Sequence, residues 1–241
     1  MPAIARQRQT TRLETFVDAA FAFAITMLVI SVDSVPGSIA ELLDALKGVP
    51  AFAASFAITV MFWHGHYRWS RRFGLEDGTS VVLSLLLVFL VLVFLYPLRL
   101  MMSGALFAMT GGWLPAEIRI TEISHVRTFF VLYGLAFALM SGVLLALNAR
   151  VPRLEVDPPL DAVERVTART ETEAWAILAA MGAISALLAV LLPPRLIGLS
   201  VWIYVGLSVI MPLMSRRWRR LGETAGSAGR SPTTDGNAEP S

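Results

Sequence analysis

The chain has 241 residues, 56% of them hydrophobic and only 16% charged, and its formal net charge is +2. Its apolar residues are gathered into long blocks, which excludes an ordinary water-soluble domain and makes the bilayer the natural solvent. There is no cysteine, so disulfides and thiolate metal sites are excluded as well.

In hydrocarbon every backbone N–H and C=O must be paired within the protein, which leaves helices or a closed barrel. Unbroken apolar runs lack the period-2 alternation of a barrel. The sequence therefore predicts an all-α integral membrane protein with six transmembrane helices. In chain order the predicted spans are Phe16–Val32, Phe52–Tyr67, Thr79–Met102, Phe129–Ala149, Ala174–Leu192 and Leu196–Met214. Each is close to the length that crosses roughly 30 Å of hydrocarbon at about 1.5 Å per residue. A short N-terminus (1–11) precedes the membrane domain (12–215), and a basic, then disordered tail (216–241) follows it. The first run is expected to be a retained helix rather than a signal peptide, because Asp18 interrupts the basic-to-apolar boundary and no secreted domain follows.

Three longer connections separate these spans, at 33–51, 103–128 and 150–173. The second holds Gly111-Gly112-Trp113-Leu114-Pro115 and suggests a short interfacial segment. The third mixes charges at helical spacing and predicts an extension of the fifth helix with a solvated face. In the fourth span Gly134, Ala138, Gly142 and Ala146 form a ladder of small residues on one face, suited to close helix approach, and Ala176 and Ala180 repeat it briefly in the fifth. Pro97 and Pro212 fall late in their spans, where a kink or an end costs least.

Arginine placement orients the chain. All but one of the 20 basic residues are arginine, and 15 lie in four segments. These are Arg6, Arg8 and Arg12; Arg68, Arg71 and Arg72; Arg150, Arg153, Arg165 and Arg169; and Arg216, Arg217, Arg219, Arg220 and Arg230. The asymmetry predicts that these segments, and with them both termini, are cytoplasmic in a multi-pass protein of the cell membrane.

Catalytic signals are thin: the chain has no phosphate loop, no H-E-x-x-H, no G-x-S-x-G and no paired intramembrane carboxylates. No enzyme activity, resident cofactor or nucleic-acid partner is expected. His64 and His66 lie two apart on a helix and point away from each other, which argues against a shared metal and for a buried, hydrogen-bonded histidine.

The segment Arg12-Leu13-Glu14-Thr15-Phe16-Val17-Asp18 places two acids and an arginine where the first helix enters the membrane. A carboxylate in the first turn is favoured by the helix dipole, and that alone accounts for Asp18 structurally. The functional alternative is that partners on neighbouring helices, such as Arg12, Trp63 or His66, hold it, since an unpaired charge at that depth is expensive.

Arg12-x-x-x-Phe16-Val17-Asp18, followed by Ala19-Ala20-Phe21-Ala22-Phe23-Ala24-Ile25-Thr26-Met27-Leu28-Val29-Ile30, resembles the signature first helix of the transmembrane protein 175 family of potassium-permeable channels. Ser55-Phe56, Trp63-x-x-His66 and a third span ending near Pro97 are similar to the corresponding family segments, so the resemblance covers roughly residues 12 to 100. It implies that the first helix lines the central pore of a homotetramer, with Arg12, Phe16, Asp18, Trp63 and His66 as a structural network at its start. It also implies that apolar side chains from the helix's later half form the constriction. Phe23, Met27 and Ile30 follow i, i+4, i+7 spacing on one face, while Asp18, Ala22, Ile25 and Val29 lie on another. Thr26 is the only hydroxyl at mid-helix; it either assists a partly dehydrated cation or bonds its own i−4 carbonyl.

With no T-V-G-Y-G carbonyl loop in the sequence, ions would pass an apolar constriction and be sorted by the cost of losing water. Three positions depart from the family pattern. Val17 occupies the motif's serine position, Phe23 stands where isoleucine is usual, and Ser84 is the polar residue nearest to an asparagine expected early in the third helix. The leading expectation is a homotetrameric, potassium-preferring cation channel with K+ as permeant ion, in contact with membrane lipids. A non-conducting membrane scaffold, binding a partner or anionic lipid through its arginine-rich loops, is the alternative. A membrane enzyme or proton-coupled carrier would need intramembrane acids beyond Asp18.

Overall fold

The computed structural model describes residues 4–5, 10–30, 36–117, 123–193 and 196. The helices are α1 (Arg12–Ile30), α2 (Ile39–Leu46), α3 (Val49–Phe73), α4 (Gly78–Met109), α5 (Ile123–Arg150) and α6 (Ala162–Leu191). A 3-10 turn, Val151–Arg153, follows α5, and a two-residue strand β1 (Ile4–Ala5) pairs in parallel with β2 (Val156–Asp157). The expected sixth span Leu196–Met214, apart from Leu196, and the tail 216–241 lie outside the described residues.

Among the described residues four helical segments are long and apolar enough to cross a membrane: Ile39–Phe73, Gly78–Met109, His125–Arg153 and Ala162–Leu191. They contain the second to fourth predicted spans and all of the fifth except Leu192, each extended by a turn or more at one or both ends. α1, with 19 residues, carries Arg12 and Glu14 in its opening turns and Asp18 soon after. The expected extension of the fifth predicted span is present, since α6 begins at Ala162.

Local chemistry sets the helix ends. The Asp161 side chain accepts from the Glu164 N–H while Glu164 reaches back to the Asp161 N–H, a reciprocal cap that starts α6. Asp77 caps α4 by accepting from the Thr79 N–H. α3 ends at Gly74, whose φ of 57° is the left-handed conformation that glycine adopts without strain. Pro97 does not end α4, which continues to Met109. The chain then turns through Gly111 and Gly112, both at positive φ, and folds Leu114 back into a buried position while Trp113 stays exposed.

α1 packs on α3 and α4, and α5 lies between α4 and α6 while also touching α3. The core runs through Phe21, Phe62, Leu87, Phe137, Leu144 and Trp175. The Phe62 ring meets Phe137 edge-on and stacks on Trp175. The closest helix approach joins α5 to α6. A Cβ on Gly182 would lie 2.6 Å from the Ala138 nitrogen, and one on Gly134 would lie 2.7 Å from the Ala186 nitrogen. Half of the expected ladder is therefore used. Gly134 and Ala138 meet Gly182 and Ala186, whereas Gly142 faces open space and Ala180 is exposed.

Three of the arginine-rich segments converge on one end of the bundle. β1 pairs with the α5–α6 connection, Arg68 of α3 forms an ion pair with Glu171 of α6, and Arg150 of α5 reaches Asp77 before α4. Gly182→Val or Gly134→Val places a side chain into the backbone of the facing helix. Each is expected to destabilise the bundle by about 1–3 kcal/mol or more, measurable as a lowered melting temperature in detergent, while Gly142→Val should have little effect.

Candidate functional site

α1 begins where the Thr11 hydroxyl accepts from the Glu14 N–H at 3.1 Å. From there its sequence divides the helix into two faces. Val17, Phe21, Ala24 and Leu28, at spacings of four, three and four, are buried against the rest of the chain. On the other side Phe16, Phe23 and Met27 are 55%, 57% and 43% exposed, with Ala19, Ala22 and Thr26 among them. Thr26 donates to the Ala22 carbonyl at 2.9 Å, so its hydroxyl is engaged by its own helix. Ile30 ends α1; its side chain lies outside the described set.

The start of α1 is held by polar contacts to α3. The Trp63 indole N–H donates to the Asp18 carboxylate at 2.8 Å, and the Trp63 ring stacks on Tyr67 one turn along. One turn from Trp63 on α3, His66 is buried and its Nε2 shares a hydrogen bond with the Ser84 hydroxyl of α4 at 2.9 Å. His64 is exposed, so the two histidines do point apart. Asp18, Trp63 and His66 are thus brought together with Ser84. Arg12 and Phe16 stand outside this set: both are exposed on the open side of α1. Among the described residues no three histidine or acidic side chains are grouped to hold a metal ion.

A polar group not expected from the sequence lies at the other end of α1. Arg99 of α4 is 6% exposed, donates from Nη1 to the Leu28 carbonyl at 2.9 Å, and pairs from Nε with Glu117 at 2.8 Å. It is the single charged residue within the third predicted span, and a lone ionisable side chain in such a run was the available signal.

At the Asp18 end, Arg150 pairs with Asp77 at 2.6 Å and also donates to Ser80, which itself donates to Asp77 at 2.5 Å. Burial raises the Asp77 pKa, but the hydrogen bonds from Arg150 and Ser80 and the Arg150 charge outweigh it, so the carboxyl sits below its ordinary value of 3.8. A carboxyl depressed in the folded state adds stability that is complete above the ordinary value and is lost as pH falls through the folded one. Asp77→Asn should therefore lower the melting temperature at neutral pH, and the wild-type advantage should shrink as pH is taken from about 5 toward 3.

The Asp18 contact yields a second expectation. Trp63→Phe leaves a half-buried carboxylate without its indole donor and should cost about 1–3 kcal/mol, whereas Asp18→Asn keeps an acceptor for Trp63 and should cost less. Thermal unfolding in detergent checks the order of the two variants.

Comparison with known proteins bears on this helix directly. Residues 12–97 match the family model described as endosomal/lysosomal potassium channel TMEM175, which bears out the resemblance carried by α1. A potassium channel of Marivirga tractuosa is 35% identical over 140 residues, spanning 56% of this chain and 56% of its own length. The chain thus aligns with little more than half of that relative. Among solved structures, a variant of the potassium channel MtTMEM175, crystallised with a nanobody–MBP fusion, superposes with a TM-score of 0.73 at 24% identity, covering 90% of this chain and 98% of that one. A lysosomal potassium-selective TMEM175 homolog from Chamaesiphon minutus gives 0.59 at 21% identity, covering 88% and 99%. Both share the fold of this chain.

Proposed function

Taking the chain as a TMEM175-family protein through residues 12–97, we propose that it is a six-helix subunit of a homotetrameric, potassium-preferring cation channel of the cell membrane. The first helices of four copies surround the pathway. Phe23, Met27 and Ile30 form an apolar constriction with Thr26 beside them, and K+ is the permeant ion. No carbonyl filter takes part: an ion is sorted by what it costs to shed water against apolar side chains. Leu196–Met214 supplies the sixth span, both termini are cytoplasmic, and lipids cover the outer helices. The role is transport, with no resident cofactor and no catalysis.

The observation that carries this reading is the two-faced construction of α1. One face is buried on α3 and α4, while the other presents Phe16 and Phe23 more than half exposed and Met27 43% exposed. A helix docked on one side only cannot enclose a pathway, and a closed ring of copies is the symmetric way to surround one. The convergence of three arginine-rich segments at one end agrees with their lying on a single side of the membrane.

The size of Phe23 favours the second reading, a non-conducting scaffold, because four rings about an axis fill more space than four isoleucines. Purified protein in liposomes decides between them. Potassium flux is expected, and Phe23→Ser or Ile30→Ser should raise it or reduce the preference for potassium over sodium. If neither the wild type nor either variant passes any cation, the channel reading is wrong.

A further inference from the structure

A buried ion pair, Arg99 with Glu117, stands at the far end of α1 from Asp18. Arg99 lies 21 residues beyond Gly78 along α4, about 32 Å at 1.5 Å per residue, and so sits at the opposite membrane face from Asp77. A guanidinium at that position with only 6% exposure is costly unless each of its directions is met. Two are. Nη1 donates to the Leu28 carbonyl, one of the last four of α1, where a cation also complements the negative end of the helix dipole. Nε donates to the Glu117 carboxylate.

Glu117 is itself held in place. Its N–H donates to the Ser103 hydroxyl at 3.3 Å, which in turn donates to the Leu100 carbonyl at 2.9 Å. The chain reaches Glu117 through a tight turn in which the Gly112 N–H donates to Phe107 and the Leu114 N–H to the Thr110 hydroxyl. Segment 110–117 is thus built to return a carboxylate to Arg99.

We propose that Arg99 and Glu117 form a latch that fixes the last turn of α1, and with it the mouth of the pathway at that end, to the segment following α4. Arg99 and Glu117 are positioning residues: Arg99 touches the backbone of α1 and Glu117 holds Arg99, and neither touches the pathway. Met27 precedes the latched carbonyl and Ile30 follows it by two residues, so release of the latch moves the side chains that narrow the pore. The functional part of this inference rests on α1 lining a pathway; the structural part does not.

The full-length protein gives two independent readouts, amide hydrogen exchange across 25–30 and the ratio of potassium to sodium flux in liposomes. Arg99→Met removes both bonds and should accelerate exchange in that turn by roughly tenfold to a hundredfold, the factor expected for loss of a charge-assisted hydrogen bond. Glu117→Gln retains an acceptor and should give a smaller acceleration, and the flux ratio should shift in the same order. Wild-type exchange in this turn for both variants overturns the latch, as does acceleration spread evenly over all helices. Should Arg99→Met fail to fold, Glu117→Gln decides alone by the same criterion. A local change in exchange with no flux from the wild type would uphold the latch and reject the channel.

Discussion

A carboxylate within an apolar helix must be met by a donor, and the position of α1 depends on how this chain meets that demand at Asp18. The helix dipole favours an acid near the start of α1 but does not fix where the helix sits. The Trp63 indole does, because it is a single directional donor on a neighbouring helix. Trp63 is in turn placed by α3, whose His66, one turn further, is tied to Ser84 of α4. One hydrogen bond between α1 and α3 and one between α3 and α4 thus register three helices at a common depth. With the Arg99 contact to the Leu28 carbonyl, α1 is pinned near both ends, and between the pins Phe21 and Ala24 pack into the core.

That division has a physical reason. Lipid gives no hydrophobic drive for helix association, so position along the membrane normal has to come from polar contacts and proximity from shape. α5 and α6 use shape: Gly134 and Gly182 let the backbones approach where no side chain would fit. α1 uses polar contacts, and its buried stripe of Val17, Phe21, Ala24 and Leu28 fills the surface between them. The pair with the close backbone approach is α5 and α6, whereas α1 is held by a few directional bonds.

Much of this was legible in the sequence. Run lengths set the helices because hydrocarbon leaves the backbone no alternative, and three of the four arginine-rich segments lie at one end of the bundle, joined there by the β1–β2 pair, the Arg68–Glu171 ion pair and the Arg150–Asp77 contact. Spacing put Phe23 and Met27 on one face of α1, and both are exposed, but it assigned Ala22 and Val29 to another face although they are exposed as well; Trp63 was named among the partners of Asp18. Pairings across space were not legible. Spacing puts Gly134, Ala138, Gly142 and Ala146 on one face but does not say where a partner helix crosses, and the crossing falls at Gly134 and Ala138. Arg99 lay in plain view, but its partner Glu117 is 18 residues away beyond a glycine turn that periodicity does not describe.

The two positions where α1 departs from the family pattern lie on opposite faces and bear on different things. Val17, at the motif's serine position, is completely buried, so the chain has exchanged a hydroxyl beside Asp18 for apolar packing. Phe23 contributes less to that packing, with 57% of its surface open. A phenylalanine with most of its surface open is constrained less by the core than by whatever faces α1, so its size bears chiefly on that open face, and a ring there is compatible with the same buried stripe of Val17, Phe21, Ala24 and Leu28.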